Sequence, residues 1–212
     1  VKNLFYNVPA RRKFLKSDIV ELRHIHDEFQ HIALAFPQIF FSLFHDQTEM
    51  YHLPESNIRQ RIVNMFGSNF NARLVPINEE TEALTIVGFI GKPDYAKRSK
   101  GEQYLFVNGR YIRSPYLNHA ITSGYEKLLP EDSYPFYTIF LEIDPSQIDI
   151  NVHPTKQEIK FENEKLVYNY LFVAVKHALG KHSITPMLDF EQEESFSTYQ
   201  MPHTFKKQTD ED

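Results

Sequence analysis

Between Asp18 and Phe36, apolar residues recur at three- and four-residue steps: Ile19, Leu22, Ile25, Phe29, Ile32 and Phe36. That spacing predicts a helix, with Asp18 as its cap, Glu21 three residues on, and Pro37 as its stop. QIFFSLFHD and EMYHLP then read as two strands around a turn at Asp46 and Gln47. A second helix is expected from Ser56, its cap, to Phe66, with Gly67 as a left-handed terminator. Strands follow over about Asn71 to Pro76 and Leu84 to Lys92. Asn108-Gly109, inside QYLFVNGRYIR, is the strongest short hairpin signal in the chain, because both positions tolerate positive φ. A third helix starts near Pro115 and ends before Pro130. PFYTIFLEI, IDINV and QEIKF read as strands, and a last amphipathic helix runs from Glu164 to Leu179, closed by Gly180. The order of elements predicts a mixed α/β or α+β arrangement with several hairpin-joined strands, with a boundary near Leu53 to Ser56.

Composition adds limits. The 212 residues are enough for one large domain or two small ones, and 42% of them are apolar, which supports a sizeable core. With 18 Phe, 12 Tyr and no Trp, aromatic rings should dominate the packing. The absence of Cys excludes disulfides, thiolate metal sites and a cysteine nucleophile, and fits a reducing compartment. No run approaches the length of a membrane-spanning helix, and no signal-peptide pattern opens the chain. Residues 181–212 carry seven acids and three bases, a net −4 of the total −5, and lack sustained periodicity; they read as a flexible acidic linker. The rest of the chain is thus nearly neutral, which permits a local basic face.

Candidate chemistry is sparse. Lys156 lies in NVHPTKQEIKF, read as strand, tight bend, strand. A lone lysine on a turn is most often merely solvated. Here Pro154 fixes the local φ, Asn151 and His153 can hydrogen-bond within the bend, and a stiff bend can aim an ammonium at a phosphate. Basic residues cluster at Arg11, Arg12, Lys13 and Lys16; at Lys92, Lys97, Arg98 and Lys100; and at Arg110 and Arg113. These are either ordinary solvated faces or a groove for nucleic-acid phosphates. In the second case binding would be backbone-directed and independent of sequence. Ten His occur, but His24, His26, Asp27 and His31 form no tight ligand face and no HExxH is present, so no metal site is expected. GxSxG and Walker-type loops are absent, so neither a serine nucleophile nor a self-contained nucleotide cradle is predicted.

Three runs in this order, LFYNVPARRKFL (4–15), FVNGRYIRSPYLNHAI (106–121) and DINVHPTKQEIKF (149–161), closely resemble the MutL family of DNA mismatch repair proteins over about residues 1–180. The resemblance implies the end of a GHKL-type ATPase domain, its last helix and hairpin, over residues 1–53. It further implies a transducer domain over 54–180, a β-α sandwich like the second domain of the small-subunit ribosomal protein S-five type, and the start of a linker over 181–212. The family's ATP- and Mg²⁺-binding motifs would lie before Val1. The longer parent is then expected to use ATP and Mg²⁺, whereas this chain alone should bind no cofactor and hydrolyse nothing. By the same resemblance Lys156 contacts the γ-phosphate of ATP held by the upstream domain, with Asn151, His153 and Pro154 supporting the bend. Arg110 and Arg113 fall in the matching NGRxxR run and become first candidates for DNA contact; Lys97, Arg98 and Lys100 are added on charge alone. Ser114-Pro115 stands where some relatives carry more basic character. Implied partners are DNA without sequence preference, a second MutL copy and the mismatch-recognition protein MutS, in the bacterial cytoplasm and nucleoid-associated when acting, with no membrane. Alternatives are a protein-interaction module without DNA binding, and the transducer of another GHKL ATPase. Separated from upstream sheet neighbours, residues 1–16 are expected to be strained, swapped or poorly ordered.

Overall fold

The structure, a computed structural model, describes residues 5–152 and 156–183, without the side chains of Arg12 and Ser183. In chain order it contains a short helix α1 (Pro9–Arg12), a long helix α2 (Asp18–Ala35) and the hairpin β1 (Phe41–His45) and β2 (Thr48–Leu53). Helix α3 (Ile58–Phe66), a 3₁₀ stretch at Ser68–Arg73, and strands β3 (Leu74–Glu80) and β4 (Leu84–Gly91) follow. Next come β5 (Gln103–Val107), β6 (Arg110–Ile112), α4 (Pro115–Gly124) and β7 (Tyr137–Ile143). The two-residue strands β8 (Ile148–Asp149) and β9 (Lys160–Phe161) precede α5 (Glu164–Ser183).

Five strands form the central sheet in the order β3-β4-β7-β5-β6. Every pairing in it is antiparallel except β5 with β7. The sheet is buried on both faces, and the strand alternation distributes its side chains accordingly. Leu105, Val107, Ile139 and Leu141 face α4 and α5 in an aliphatic cluster that also holds Leu117, Ile121, Leu171 and Val175. Tyr104, Phe106 and Phe140 face the other way, into a cluster with Leu34, Leu53, Ile62 and Phe136 that joins α2, α3 and the β1–β2 hairpin to the sheet. This is a mixed α+β sandwich, as the family resemblance implied.

Two glycine-dependent points matter for geometry. Gly88 has φ of 142°, and a Cβ there would lie 2.1 Å from the Thr138 carbonyl oxygen, so β4 and β7 approach closely only because the side chain is missing. At the β5–β6 turn Asn108 and Gly109 have φ of 48° and 76°, the two positive angles that a two-residue hairpin of this hand demands. Asp46 and Gln47 do the same between β1 and β2, with φ of 46° and 67°.

Several local expectations are corrected. Ser17, not Asp18, occupies the N-cap of α2, and Glu21 accepts from the Lys16 N–H, one residue before that cap. Asn57, not Ser56, caps α3 by accepting from Gln60 N–H at 2.8 Å, while the Ser56 N–H is tied to the Pro37 carbonyl. Gly67 has positive φ but ψ of 158°, so it is extended rather than left-handed helical. The strand expected at 71–76 begins only at Leu74, because Ser68–Arg73 forms a 3₁₀ turn. Gly180 does not end α5, which continues to Ser183. Ala10, Arg11 and Arg12 are helical behind Pro9, which sits at the first helical position. The apolar stripe of α2 is not its buried face: Ile19, Ile25 and Ile32 are 76, 53 and 51% exposed, while His31, Ala33 and Leu34 are buried. The periodicity reported apolar surface correctly but not what covers it.

Arg61 is 0% exposed. Its Nη2 donates to the carbonyls of Pro37 at 2.7 Å and Ile39 at 2.5 Å, and its Nη1 to Leu53 at 3.3 Å. The guanidinium also lies over the Phe41 ring. One planar fork on α3 thereby satisfies three carbonyls of the segments entering and leaving the β1–β2 hairpin.

Candidate phosphate and nucleic-acid interface

The β5–β6 turn is fixed from the side. Asn108 Nδ2 donates to the Ile143 carbonyl at 2.9 Å, and its Oδ1 accepts from Ile143 N–H at 3.0 Å, so the amide extends the β5–β7 pairing by one position. Arg110 leaves this turn and Arg113 follows β6, both exposed. Immediately afterwards Ser114 caps α4 by accepting from Leu117 N–H, with Pro115 at the first helical position. Two arginines are therefore mounted on short, well-anchored backbone rather than on a floppy loop.

The strands flanking Lys156 are shorter than the sequence predicted, two residues each. Among the described residues they pair at Ile148–Phe161 and Asp149–Lys160, and residues 150–152 and 156–159 are loop. Within that loop Asn151 is exposed and its N–H is held by Asp149 Oδ1 at 2.8 Å. His153 and Pro154, expected to stiffen the bend, lie outside the described residues. Lys156 itself is exposed, with φ of 54°.

Folding brings Lys156 to the opposite end of the sequence. It lines a cleft of about 390 Å³ with Arg110 and the Asn108-Gly109 turn on one wall and Glu28 and Ile32 of α2, with Phe36 just after it, on the other. A second cleft of about 490 Å³ holds Lys100 and Arg113, with Asp27, Ser114 and Asn118. His31 and Tyr111 line both clefts and form the wall between them, their rings stacked 3.5 Å apart at 11°. Burial lowers the His31 pKa, Glu28 partly opposes this, and the Arg113 charge adds to the lowering. Four of the residues singled out by sequence thus converge: Arg110 with Lys156, and Arg113 with Lys100 next door.

The other two do not join them. Lys97 is paired with Glu102 at 2.6 Å and its backbone bridges to Tyr134, so its charge is largely compensated. Arg98 is exposed on the same loop but lines neither cleft. Sequence reasoning missed Glu28, Tyr111 and Gln157, and weighed His31 only as a metal ligand. The available signal was polar: a histidine near the end of α2, set among Ile32, Ala33 and Leu34. Among the described residues no group of three metal-ligating side chains forms, and no helix is long and apolar enough to cross a membrane.

Residues 62–180 match the family described as DNA mismatch repair protein, C-terminal domain. The DNA mismatch repair protein MutL of Christiangramia forsetii is 55% identical over 206 residues, covering 97% of this chain and 33% of the relative. That of Flavobacterium psychrophilum is 56% identical over 198 residues, covering 93% and 32%. The chain spans about a third of the length of these relatives. Among solved structures, the Aquifex aeolicus MutL ATPase domain complexed with ADP is 25% identical, with a TM-score of 0.51 over 66% of this chain and 50% of that one. The N-terminal domain of a DNA repair protein aligns at a TM-score of 0.71 over 85% of this chain and 60% of that one. At 21% identity this is a likeness of fold alone.

Proposed function

Since this chain belongs to the MutL family of DNA mismatch repair proteins, we propose that it is the transducer portion of a longer mismatch-repair ATPase, sensing bound nucleotide through Lys156 and holding DNA through Arg110, Arg113 and Lys100. Residues 1–53 are the end of the ATPase domain, 54–180 the transducer, and 181–212 the start of the linker. The observation that carries the reading is the convergence of Lys156 and Arg110 on one cleft, with Arg113 and Lys100 on its neighbour. Lys156 presents a point charge beside a turn whose backbone is fixed by Asn108. Such a charge suits the terminal phosphate of a nucleotide bound upstream, because a triphosphate gives it a partner that a diphosphate lacks. ATP with Mg²⁺ supplies that phosphate charge when bound to the parent protein. On the family reading, this chain contributes the lysine and the upstream part of the parent contributes the metal ligands.

The arginines do a different job. Mounted on a short hairpin and a helix start, they meet phosphodiester oxygens without reading bases, since nothing beside them presents a recognition helix to a groove. With Lys97 compensated by Glu102, binding by this chain alone is weak. The partners follow from the family: a second copy of the parent, brought together when nucleotide closes the domains, and the mismatch-recognition protein MutS, in the bacterial cytoplasm. The protein-interaction alternative draws on the exposed stripe of α2, but that stripe leaves the clustered cations without a task.

Fluorescence anisotropy of the chain with duplex and single-stranded DNA over a salt series tests the reading. Binding should be weak and fall steeply with salt, and an Arg110→Glu, Arg113→Glu double variant should abolish it. Salt-insensitive binding, or a double variant that binds as well as the parent, would overturn the DNA role.

A further inference from the structure

Lys156 adopts the left-handed backbone region, with φ of 54°. A residue with a side chain keeps that conformation only where its surroundings impose it. Those surroundings concentrate in the next residue. The Gln157 carbonyl accepts from Arg113 N–H at 2.7 Å, which ties the loop to the end of β6. The Gln157 Nε2 donates to Glu28 Oε1 on α2 at 3.2 Å. The second Glu28 oxygen lies 3.7 Å from His31 Nδ1, and His31 stacks on Tyr111 of β6. Loop, helix and strand are thereby linked in a ring whose members are all named side chains or backbone groups.

We propose that Gln157 is the positioning residue for Lys156. It is held at both ends, so the backbone on which Lys156 stands cannot swing independently of α2 or β6, and the direction in which the ammonium projects is set. The chemistry of the residue matters. An amide donates to Glu28 without adding a charge that would repel Lys156 or compete with it for a phosphate. A carboxylate there would face Glu28 with like charge and push the loop off the helix. This role rests on the reading of Lys156 as a phosphate contact, and the test separates the two.

The experiment is steady-state ATP hydrolysis by the full-length protein containing this chain. Gln157→Glu should lower kcat about tenfold, with KM for ATP within about twofold of the parent, because a displaced lysine loses transition-state contact rather than nucleotide affinity. Adding Glu28→Gln to Gln157→Glu exchanges amide and carboxylate, restores the hydrogen bond with its roles reversed, and should recover most of kcat. Should Gln157→Glu fail to fold, Gln157→Ala reads the same point with the same expected fall. Undiminished turnover in these Gln157 variants, or a double exchange no faster than Gln157→Glu alone, overturns the positioning role. Lys156→Ala is measured alongside. If it turns over normally, the phosphate contact itself falls and the positioning role with it; if it is slow while the Gln157 variants are normal, only the positioning role falls.

Discussion

The two faces of the central sheet solve the same burial problem with different chemistry. Toward α4 and α5 the sheet presents mostly Leu, Ile and Val, with Tyr137, and the helices answer with Leu117, Ile121, Leu171 and Val175. Toward α2, α3 and the hairpin it presents Tyr104, Phe106 and Phe140, and the covering layer includes the fully buried Arg61 and the nearly buried His31. The aliphatic face is held mainly by close packing, with a buried bond from Tyr125 Oη to the Gly91 carbonyl at 2.8 Å at its edge. The aromatic face is held by directional contacts. Phe106 stacks on Phe140 at 4.7 Å, Phe66 meets Phe136 edge-on, and Arg61 satisfies three carbonyls. Both candidate clefts open at the margin of this second layer, where α2 crosses β6. A directional, polar layer leaves cations and hydrogen-bonding groups at its rim, which an oily one would not.

The comparison breaks most easily at Arg61. Arg61→Met keeps apolar volume but strands the carbonyls of Pro37, Ile39 and Leu53, and should cost about 3–5 kcal/mol. On the opposite face Leu171→Ala should cost about 3 kcal/mol through lost burial and the cavity left behind, whereas Leu171→Met should stay within about 1.5 kcal/mol. Urea denaturation midpoints of the three variants make the measurement. If Arg61→Met is tolerated as well as Leu171→Met, the two faces do not differ in kind. A smaller lesion refines the point. Tyr104 Oη donates to Gln30 Oε1 at 2.8 Å, and Gln30 Nε2 donates to Tyr51 Oη at 2.9 Å, a chain running from β5 through α2 to β2. Tyr104→Phe removes its first link and should cost about 1–2 kcal/mol. No change in midpoint would show that packing alone holds this layer.

Legibility in the sequence followed the same division. The aliphatic face could be read in advance, since period-two strands and the α5 stripe point directly at it, and Asn108-Gly109 marked its hairpin. The aromatic face was harder. Arg61 sits in a helix whose pattern says nothing of burial, and its acceptors come from residues eight to twenty-four positions away. The α2 stripe was visible, yet its exposed positions meet no core among the described residues. For the site, Lys156, Arg110 and Arg113 were chosen from motif and charge, and their convergence with Lys100 on adjoining clefts needed the fold. Glu28 and Gln157 are 129 residues apart, a pairing that no local pattern announces. Lys97 shows the limit of counting charges: the neutralising Glu102 was equally visible, but proximity in sequence did not reveal the ion pair.

The last prediction concerns His31, at the rim where the two clefts meet. It is buried at the level of α2's final turns, stacked on Tyr111 and edge-on to Tyr104. Burial lowers its pKa from 6.5, opposed in part by Glu28 and Asp27 and reinforced by Arg113. In the unfolded chain the imidazole takes a proton near its ordinary value. Between that value and the lower folded one, the unfolded state therefore binds more protons. The contribution of His31 to stability is present above about pH 6.5, declines as pH falls through that value, and stops changing once pH passes below the folded pKa. His31→Phe keeps a ring against Tyr111 but cannot titrate. Urea midpoints at about pH 7.5 and about pH 5.5 should fall further for the parent than for His31→Phe, the other histidines and carboxylates cancelling in the difference. The effect should be smaller than that of Tyr104→Phe, because Glu28 already offsets part of the burial. An equal fall in both proteins would mean that His31 accepts a proton as readily folded as unfolded, and that the wall between the clefts is wetter than its packing implies.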